Sequence, residues 1–128
     1  MSTIDAELDE LAHQVVDAAF RVHSTLGPGL MENIYEHCMM HELTKRRIRF
    51  QQQMEVPVVY DGLRVGIGFR VDLFVGNRLV VELKTVDRLS DLHRAQLLTY
   101  MKLLNQCLGL LINFNVPVIR QGIVRMAL

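Results

Sequence analysis

The chain has few of the residues that mark several common classes of binding site. It holds two cysteines in 128 residues, and its fourteen basic and fourteen acidic side chains cancel to a net charge of zero. Two thiols, Cys38 and Cys107, cannot supply a four-thiolate zinc or iron–sulfur site. Without net charge there is no global field that draws the protein onto nucleic acid. A polyanion would therefore have to be held by a local basic patch or by a metal.

Signals for a membrane or for secretion are also missing. No apolar run reaches the length of a membrane span. The segment that starts at Met1 lacks the basic start and the apolar run of a secretory signal. Cys38 and Cys107 lie in apolar surroundings, which is typical of buried thiols in a reducing compartment. We therefore expect a cytoplasmic protein that does not enter a membrane.

Half of the residues are apolar, and their spacing predicts one α/β domain over residues 1–128. In chain order, the predicted elements are two helices (about 4–24 and about 30–46), a strand meander (about 55–84), a helix capped by Ser90 (to about 104) and two strands (107–114 and 122–126). The Gly27-Pro28-Gly29 run separates the first two helices. The predicted order is ααβββαββ, with a mixed central sheet flanked by helices.

The most informative feature is a pair of adjacent apolar segments that carry acidic residues. Asp72 lies within residues 69–75 and Glu82 within residues 78–84, in runs of Val, Leu and Phe. Burying a carboxylate costs several kcal/mol unless it is paired or holds a cation. Lys84 follows Glu82 at the spacing that keeps both on one face of a strand. The pattern therefore indicates a divalent metal site beside a cationic group, although a surface ion-pair network would have the same spacing.

This interpretation depends on the turn at Gly76-Asn77. A strict two-residue loop would point Glu82 to the face opposite Asp72. A three-residue loop with a bulge, pairing Phe74 with Arg78, would bring both carboxylates and the lysine to one face. We predict the longer loop, because it separates polar from apolar side chains. The opposite, buried face would then carry five aliphatic residues: Val71, Leu73, Val75, Val81 and Leu83.

Further candidate residues lie on two of the predicted helices. Gln96 and Tyr100 are one turn apart, so they share a helix face on which an amide and a phenol can bind a phosphate or a sugar. The alternative is a flank that faces solvent. His93, one turn before Gln96, would line the same cleft or would cap the helix. Glu32 and Tyr35 begin the second helix, where the helix dipole alone would favour a glutamate.

Together, these residues resemble the GxxExxY protein family of the PD-(D/E)XK nuclease superfamily. The resemblance spans nearly the whole chain. It is carried, in order, by Gly29-x-x-Glu32-x-x-Tyr35, Asp72, Glu82-x-Lys84, Gln96-x-x-x-Tyr100 and residues 110–116. One departure is Val71, which precedes Asp72 where the superfamily name has proline. The resemblance implies a three-layer α/β, restriction-endonuclease-like fold.

It also implies a phosphodiesterase site that depends on Mg²⁺ or Mn²⁺. By position, Asp72 and Glu82 would be catalytic metal ligands, the Leu83 carbonyl would add an oxygen, and Glu32 would complete the acidic cluster. Hard oxygen ligands suit Mg²⁺. Lys84, the third catalytic residue, would orient or help to deprotonate the attacking water and would stabilise charge on the phosphorus.

The resemblance further implies that Gln96 and Tyr100, with His93, position the substrate strand. The expected function is hydrolysis of DNA, rather than RNA, at ends or on single strands. The alternative is a nuclease fold that binds nucleic acid or a protein without turnover, since phosphate contacts dominate nucleic-acid affinity and the chain has no long basic surface. A homodimer or a partner protein is compatible with this small domain.

Overall fold

The computed structural model describes residues 3–128, in which three helices and five strands follow one another in the predicted order ααβββαββ. Their bounds are α1 Ala6–Leu26, α2 Glu32–Lys45, β1 Phe50–Tyr60, β2 Leu63–Val75, β3 Leu79–Lys84, α3 Asp91–Leu103, β4 Leu108–Asn113 and β5 Ile123–Ala127. A short 3₁₀ turn, Ile119–Gly122, precedes the last strand. The strands form one sheet in the order β1-β2-β3-β4-β5. The sheet is mixed, because β3 and β4 are parallel and the other neighbours are antiparallel.

Local sequence signals explain where the first helix begins and ends. The Asp5 carboxylate accepts the N–H of Leu8 at 2.8 Å and caps α1. At the other end, Gly27 has a φ of 71°, a conformation in which glycine avoids the steric cost of a side chain. Between them, the small and aliphatic positions form one buried stripe. No helix within residues 3–128 is long and apolar enough to cross a membrane.

The helices cover the two faces of the sheet and so make three layers. One apolar core joins α1 and α2 to one face of the sheet, including Leu79, Val81 and Leu83 of β3. A second core joins α3, through Leu97, to the opposite face, including Val80. The alternation along β3 is the two-residue period of a strand that is buried on both faces. The expected three-layer arrangement is confirmed.

The first strand begins earlier than the sequence predicted. β1 starts at Phe50 rather than near Glu55, and residues 50–54 pair with the end of β2. This stretch contains Gln51, Gln52 and Gln53, which do not alternate with apolar residues as strand positions usually do. Pairing with a neighbouring strand, rather than local pattern, makes this segment extended.

The turn between β2 and β3 has the predicted length. Val75 pairs with Leu79, so three residues, Gly76 to Arg78, form the loop. Gly76 and Asn77 have φ values of 60° and 57°, which their residue types accommodate. The pairing itself is wrong by two residues, because Phe74 pairs with Val80 and not with Arg78. A shift of two preserves the face of every side chain, so the two carboxylates still lie together.

The predicted division between the two faces of the hairpin is right at four positions and wrong at one. The residues that pack against α1 and α2 as predicted are Leu73, Val75, Val81 and Leu83. Val71 instead packs in the α3 core with Phe74. The β1–β2 register records no pair at Gln53 and Asp72, and Gln53 has a φ of 49°. A left-handed residue within a strand bends it, so side chains beyond this point turn to the other layer.

Candidate active site

Asp72 and Glu82 lie opposite each other on β2 and β3 and hold each other's strands. The Asp72 Oδ2 atom accepts the N–H of Leu83 at 2.8 Å. The Glu82 Oε1 atom accepts the N–H of Asp72 at 3.1 Å. Both carboxylates are buried. These reciprocal hydrogen bonds fix the two acidic side chains on the α3 side of the sheet.

Burial perturbs the ionisation of both carboxyl groups. Loss of solvation raises the pKa of Glu82 from 4.5 to about 8, and the nearby Asp72 carboxylate raises it further, against the opposing effects of the Asp72 N–H and of Lys84. Loss of solvation also raises the pKa of Asp72, although hydrogen bonds from Leu83 and Gln53 oppose this shift. The pair therefore resists carrying two negative charges without a cation. Such a pair is a recognised mark of functional sites.

The second helix adds two glutamates to this acidic pair. Burial raises the pKa of Glu32, and the charges of Asp72 and Glu36 add to that rise while Lys84 opposes it. Glu32 and Lys84 are thus within electrostatic range of the pair, as the sequence predicted. Glu36 lies one helical turn after Glu32 and is itself buried. The structure brings together side chains from α2, β2 and β3.

A glutamine links the two halves of the cluster. The Gln53 Nε2 atom donates to Asp72 Oδ1 at 3.0 Å and to Glu36 Oε1 at 3.1 Å. Gln52 Nε2 donates to the same Glu36 oxygen at 3.0 Å. Sequence reasoning missed both glutamines and gave Glu36 only a helix-dipole role. The available signal was three consecutive glutamines, whose amides can donate to carboxylates, directly before the strands that carry the acids.

The Gly-x-x-Glu-x-x-Tyr segment acts as a structural unit that sets the position of Glu32. The Tyr35 hydroxyl donates to the Gly27 carbonyl at 2.6 Å and accepts the Leu30 N–H at 3.1 Å. Its buried ring stacks on Phe114, with 4.5 Å between the ring centroids. Tyr35 therefore holds the loop that leads into α2. Glu32 is the first residue of that helix, so the loop determines where its carboxylate begins.

The residues expected on α3 separate into two environments. Tyr100 stacks on Phe69, with 3.8 Å between ring centroids. Burial raises the pKa of Tyr100, and the charges of Glu82 and Asp72 raise it further, so this phenol lies beside the acidic pair. Gln96 is half-buried one turn earlier on the same helix.

The histidine on α3 makes the helix cap that the sequence offered as an alternative. His93 Nδ1 accepts the Ser90 N–H at 3.0 Å, and Ser90 Oγ accepts the His93 N–H at 3.2 Å. This reciprocal pair is a capping box. The local contacts of His93 thus stabilise the start of α3.

The parallel pairing of β3 with β4 supports Lys84. Lys84 is opposite Asn113, and its carbonyl accepts the N–H of Phe114 at 2.9 Å. The buried Asn113 side chain accepts the Val86 N–H at 3.0 Å and donates to the Val86 carbonyl at 2.8 Å. These contacts fix the chain on both sides of Lys84. The segment around Asn113, which the sequence analysis treated as a closing strand, therefore braces the lysine.

The donor atoms fit a hard divalent cation in type and charge. Asp72, Glu82 and Glu32 supply carboxylate oxygens, the Leu83 carbonyl supplies a neutral oxygen, and the raised pKa values of the acids show negative charge that a cation would offset. Among residues 3–128, however, no three His, Cys, Asp or Glu side chains form a ready-made metal cluster. Binding would therefore require the carboxylates to reorient from their present N–H partners.

Comparison with known proteins agrees with this arrangement. A family model described as the PD-(D/E)XK nuclease superfamily matches residues 9–126, which run from α1 to β5 and contain all the acidic residues of the site. No curated protein and no solved structure matches the chain. The five-stranded mixed sheet flanked by helices is consistent with a restriction-endonuclease-like fold. The chain belongs to the PD-(D/E)XK nuclease superfamily.

Proposed function

We propose that this protein is a metal-dependent nuclease of the GxxExxY family that hydrolyses phosphodiester bonds in DNA. The observation that carries the proposal is the buried pair of Asp72 and Glu82, held opposite each other with Lys84 on the same strand face. Superfamily membership agrees with a reaction at a phosphodiester. The family-level assignment rests on the Gly-x-x-Glu32-x-x-Tyr35 segment, whose tyrosine supports the loop before Glu32.

In this proposal the acidic side chains hold the metal ion. Asp72, Glu82, Glu32 and the Leu83 carbonyl are its ligands, and Gln53 keeps Asp72 oriented through the hydrogen bond at 3.0 Å. When bound, Mg²⁺ or Mn²⁺ supplies a water of lowered pKa and neutralises charge that develops on the phosphate. The carboxylates orient that water by accepting its hydrogens.

The remaining residues act on the substrate. Lys84 orients the attacking water, helps to remove its proton and donates to the phosphoryl oxygens as negative charge grows. Gln96 and Tyr100 face the substrate strand from α3, where an amide and a phenol hydrogen-bond to phosphate or sugar. His93, at the start of the same helix, contacts the strand further along while its Nδ1 atom stays in the cap.

Charge distribution favours a short contact with DNA, at an end or on a single strand. The compact basic cluster at residues 45–49 is partly used within the protein: Arg46 pairs with Asp17 at 2.8 Å and Lys45 pairs with Glu42 at 3.1 Å. Few cations are then left to grip a long duplex. We further propose that residues 1–128 act as one domain. The presence of thiols rather than a disulfide supports a cytoplasmic location.

A binding module without turnover is the second candidate. It is favoured by one observation: both carboxylates of the central pair already accept backbone N–H groups. A site whose acids serve to lock two strands has a structural reason to keep them. On this reading the fold would hold nucleic acid or a protein, and the acids would not turn over a substrate.

Metal binding and cleavage test the proposal in turn. Calorimetry with Mn²⁺ should give a binding signal for the wild type and none for Asp72→Asn. Labelled single- and double-stranded DNA and RNA, incubated with Mn²⁺, should be cut by the wild type, with single-stranded or end-containing DNA preferred. Lys84→Ala should lower the rate by about 100-fold or more, the scale of losing one transition-state donor.

The control is Glu55→Gln, which removes an exposed carboxylate from β1. It should bind metal and cut DNA as the wild type does. Cleavage that persists unchanged in Lys84→Ala would indicate a contaminating nuclease. Metal binding with intact substrate throughout would favour the binding module, and absence of metal binding by the wild type would refute the metal site.

A further inference from the structure

The hairpin of β1 and β2 extends beyond the body of the protein as a two-stranded arm, residues 57–68. In the described chain, the apolar core on the α3 side reaches Val56 and Phe69 but includes no residue between them. The core on the other face includes none of the arm either. An isolated two-stranded hairpin is only marginally stable in water. The arm therefore lacks the packing that supports the rest of the sheet.

The arm is nevertheless apolar. Its five large apolar side chains are between 47% and 75% exposed: Val59, Tyr60, Leu63, Val65 and Ile67. With fully exposed areas of roughly 150–200 Å² each, these side chains present on the order of 500 Å² of apolar surface, as large as the greatest patch on a typical monomer. A patch of this size on a ribbon without a core is typical of a surface that a partner covers.

The edge of the arm is poorly suited to hydrogen-bonded addition of another strand. Pro57 has no N–H to donate, and the β1–β2 register shifts at Val56/Pro57 and again at Val58/Val59. Such irregularities protect an edge strand from pairing. A partner would therefore contact the arm through its side chains rather than extend the sheet.

The charge of the arm favours a second copy over nucleic acid. Asp61 and Arg64 are the charged residues between positions 57 and 68, so the arm is neutral and does not attract a polyanion. In a twofold arrangement, the two copies can bring the acid of one arm towards the arginine of the other. Two arms together would bury about 1,000 Å² of apolar area, close to the lower limit for a specific interface.

We propose that the arm is a self-association surface and that two copies of the chain form a symmetric dimer by packing arm against arm. The same residues form both sides of such a contact, so it closes at two copies. The proposal does not depend on the nuclease activity, because it concerns residues outside the acidic cluster.

The mass of the particle in solution tests it. Light scattering after size exclusion, with wild-type protein loaded between about 1 and 200 µM, should move from 14.7 kDa towards twice that mass. Val59→Glu places a carboxylate opposite Arg64 in the hairpin register, which keeps the isolated arm paired while making its surface polar. This variant should dimerise at least tenfold more weakly.

Leu92→Glu is the matched control, because Leu92 is a similarly exposed leucine outside the arm, in the first turn of α3. It should dimerise as the wild type does. A wild-type mass that stays at one chain over the whole range would overturn the proposal, as would equal weakening by the two substitutions. Hydrogen exchange of the wild type gives a measurement that needs no variant: protection of residues 57–68 should rise with concentration, and unchanged protection counts against the dimer.

Discussion

Replacing Glu82 with glutamine isolates the effect of one buried negative charge. Glutamine has nearly the same shape and keeps a carbonyl oxygen in the place of Oε1, which accepts the Asp72 N–H at 3.1 Å. The substitution therefore leaves the link between β2 and β3 intact. What it removes is an ionisable group with a pKa raised to about 8 by burial and by Asp72.

The size of the effect follows from the difference between the folded and unfolded pKa values. Below pH 4.5 the carboxyl group is protonated in both states, so it does not penalise folding. Between pH 4.5 and about 8 the unfolded chain loses the proton while the folded chain keeps it, so the unfolding free energy of the wild type falls as pH rises. At about 1.4 kcal/mol for each pH unit, the full loss is roughly 3–5 kcal/mol.

Urea unfolding of metal-free protein, in the presence of a chelator, measures this difference. At about pH 4 the wild type and Glu82→Gln should have similar unfolding free energies. At about pH 9 the variant should be the more stable of the two by several kcal/mol. Addition of Mg²⁺ or Mn²⁺ should then stabilise the wild type more than the variant, because only the wild type offers the charge.

Glu55→Gln provides the control, since Glu55 is an exposed carboxylate that faces Arg70 at 3.9 Å. Its unfolding free energy should run parallel to that of the wild type at all pH values, because an exposed ion pair of this kind contributes little. Parallel curves for the wild type and Glu82→Gln would refute the reasoning. They would mean that the Glu82 carboxylate ionises in the folded protein as easily as in the unfolded chain.

Two further substitutions test the surroundings of the acidic pair. Tyr35→Phe removes the hydroxyl that bonds Gly27 and Leu30, so urea unfolding should show a loss of about 1–3 kcal/mol, and an unchanged midpoint would contradict the structural role given to this tyrosine. Gln53→Glu replaces the amide between Glu36 and Asp72 with a third carboxylate; thermal unfolding should show a larger loss of stability at about pH 8 than at about pH 4, and an equal loss at both would exclude charge repulsion as the cause.

The element order was predictable because it depends on local patterns. Apolar residues at helical spacing marked α1 and α2, and Ser90 marked the start of α3, where it forms the expected cap. The start of β1 was not predictable in this way. Its glutamines become part of the sheet by pairing with β2, so the information lies in another strand.

The position of Val71 illustrates the same limit inside a correctly predicted strand. A period of two placed it with Leu73, and that rule holds while the strand is regular. Gln53 interrupts the regularity with its left-handed conformation. Nothing in the immediate neighbourhood of Val71 announces this bend, because it originates in the partner strand.

The sequence by itself determined that Asp72 and Glu82 are acids within apolar strands and that a three-residue turn would bring them to one face. Only the tertiary structure decided what surrounds them. Glu36 and Gln53, which complete the cluster, lie 36 and 19 positions before Asp72 and make contact only when α2 and β1 have packed beside the sheet. Periodicity reports the face on which a side chain lies, whereas hydrogen bonds and pKa values depend on residues that folding brings from elsewhere in the chain.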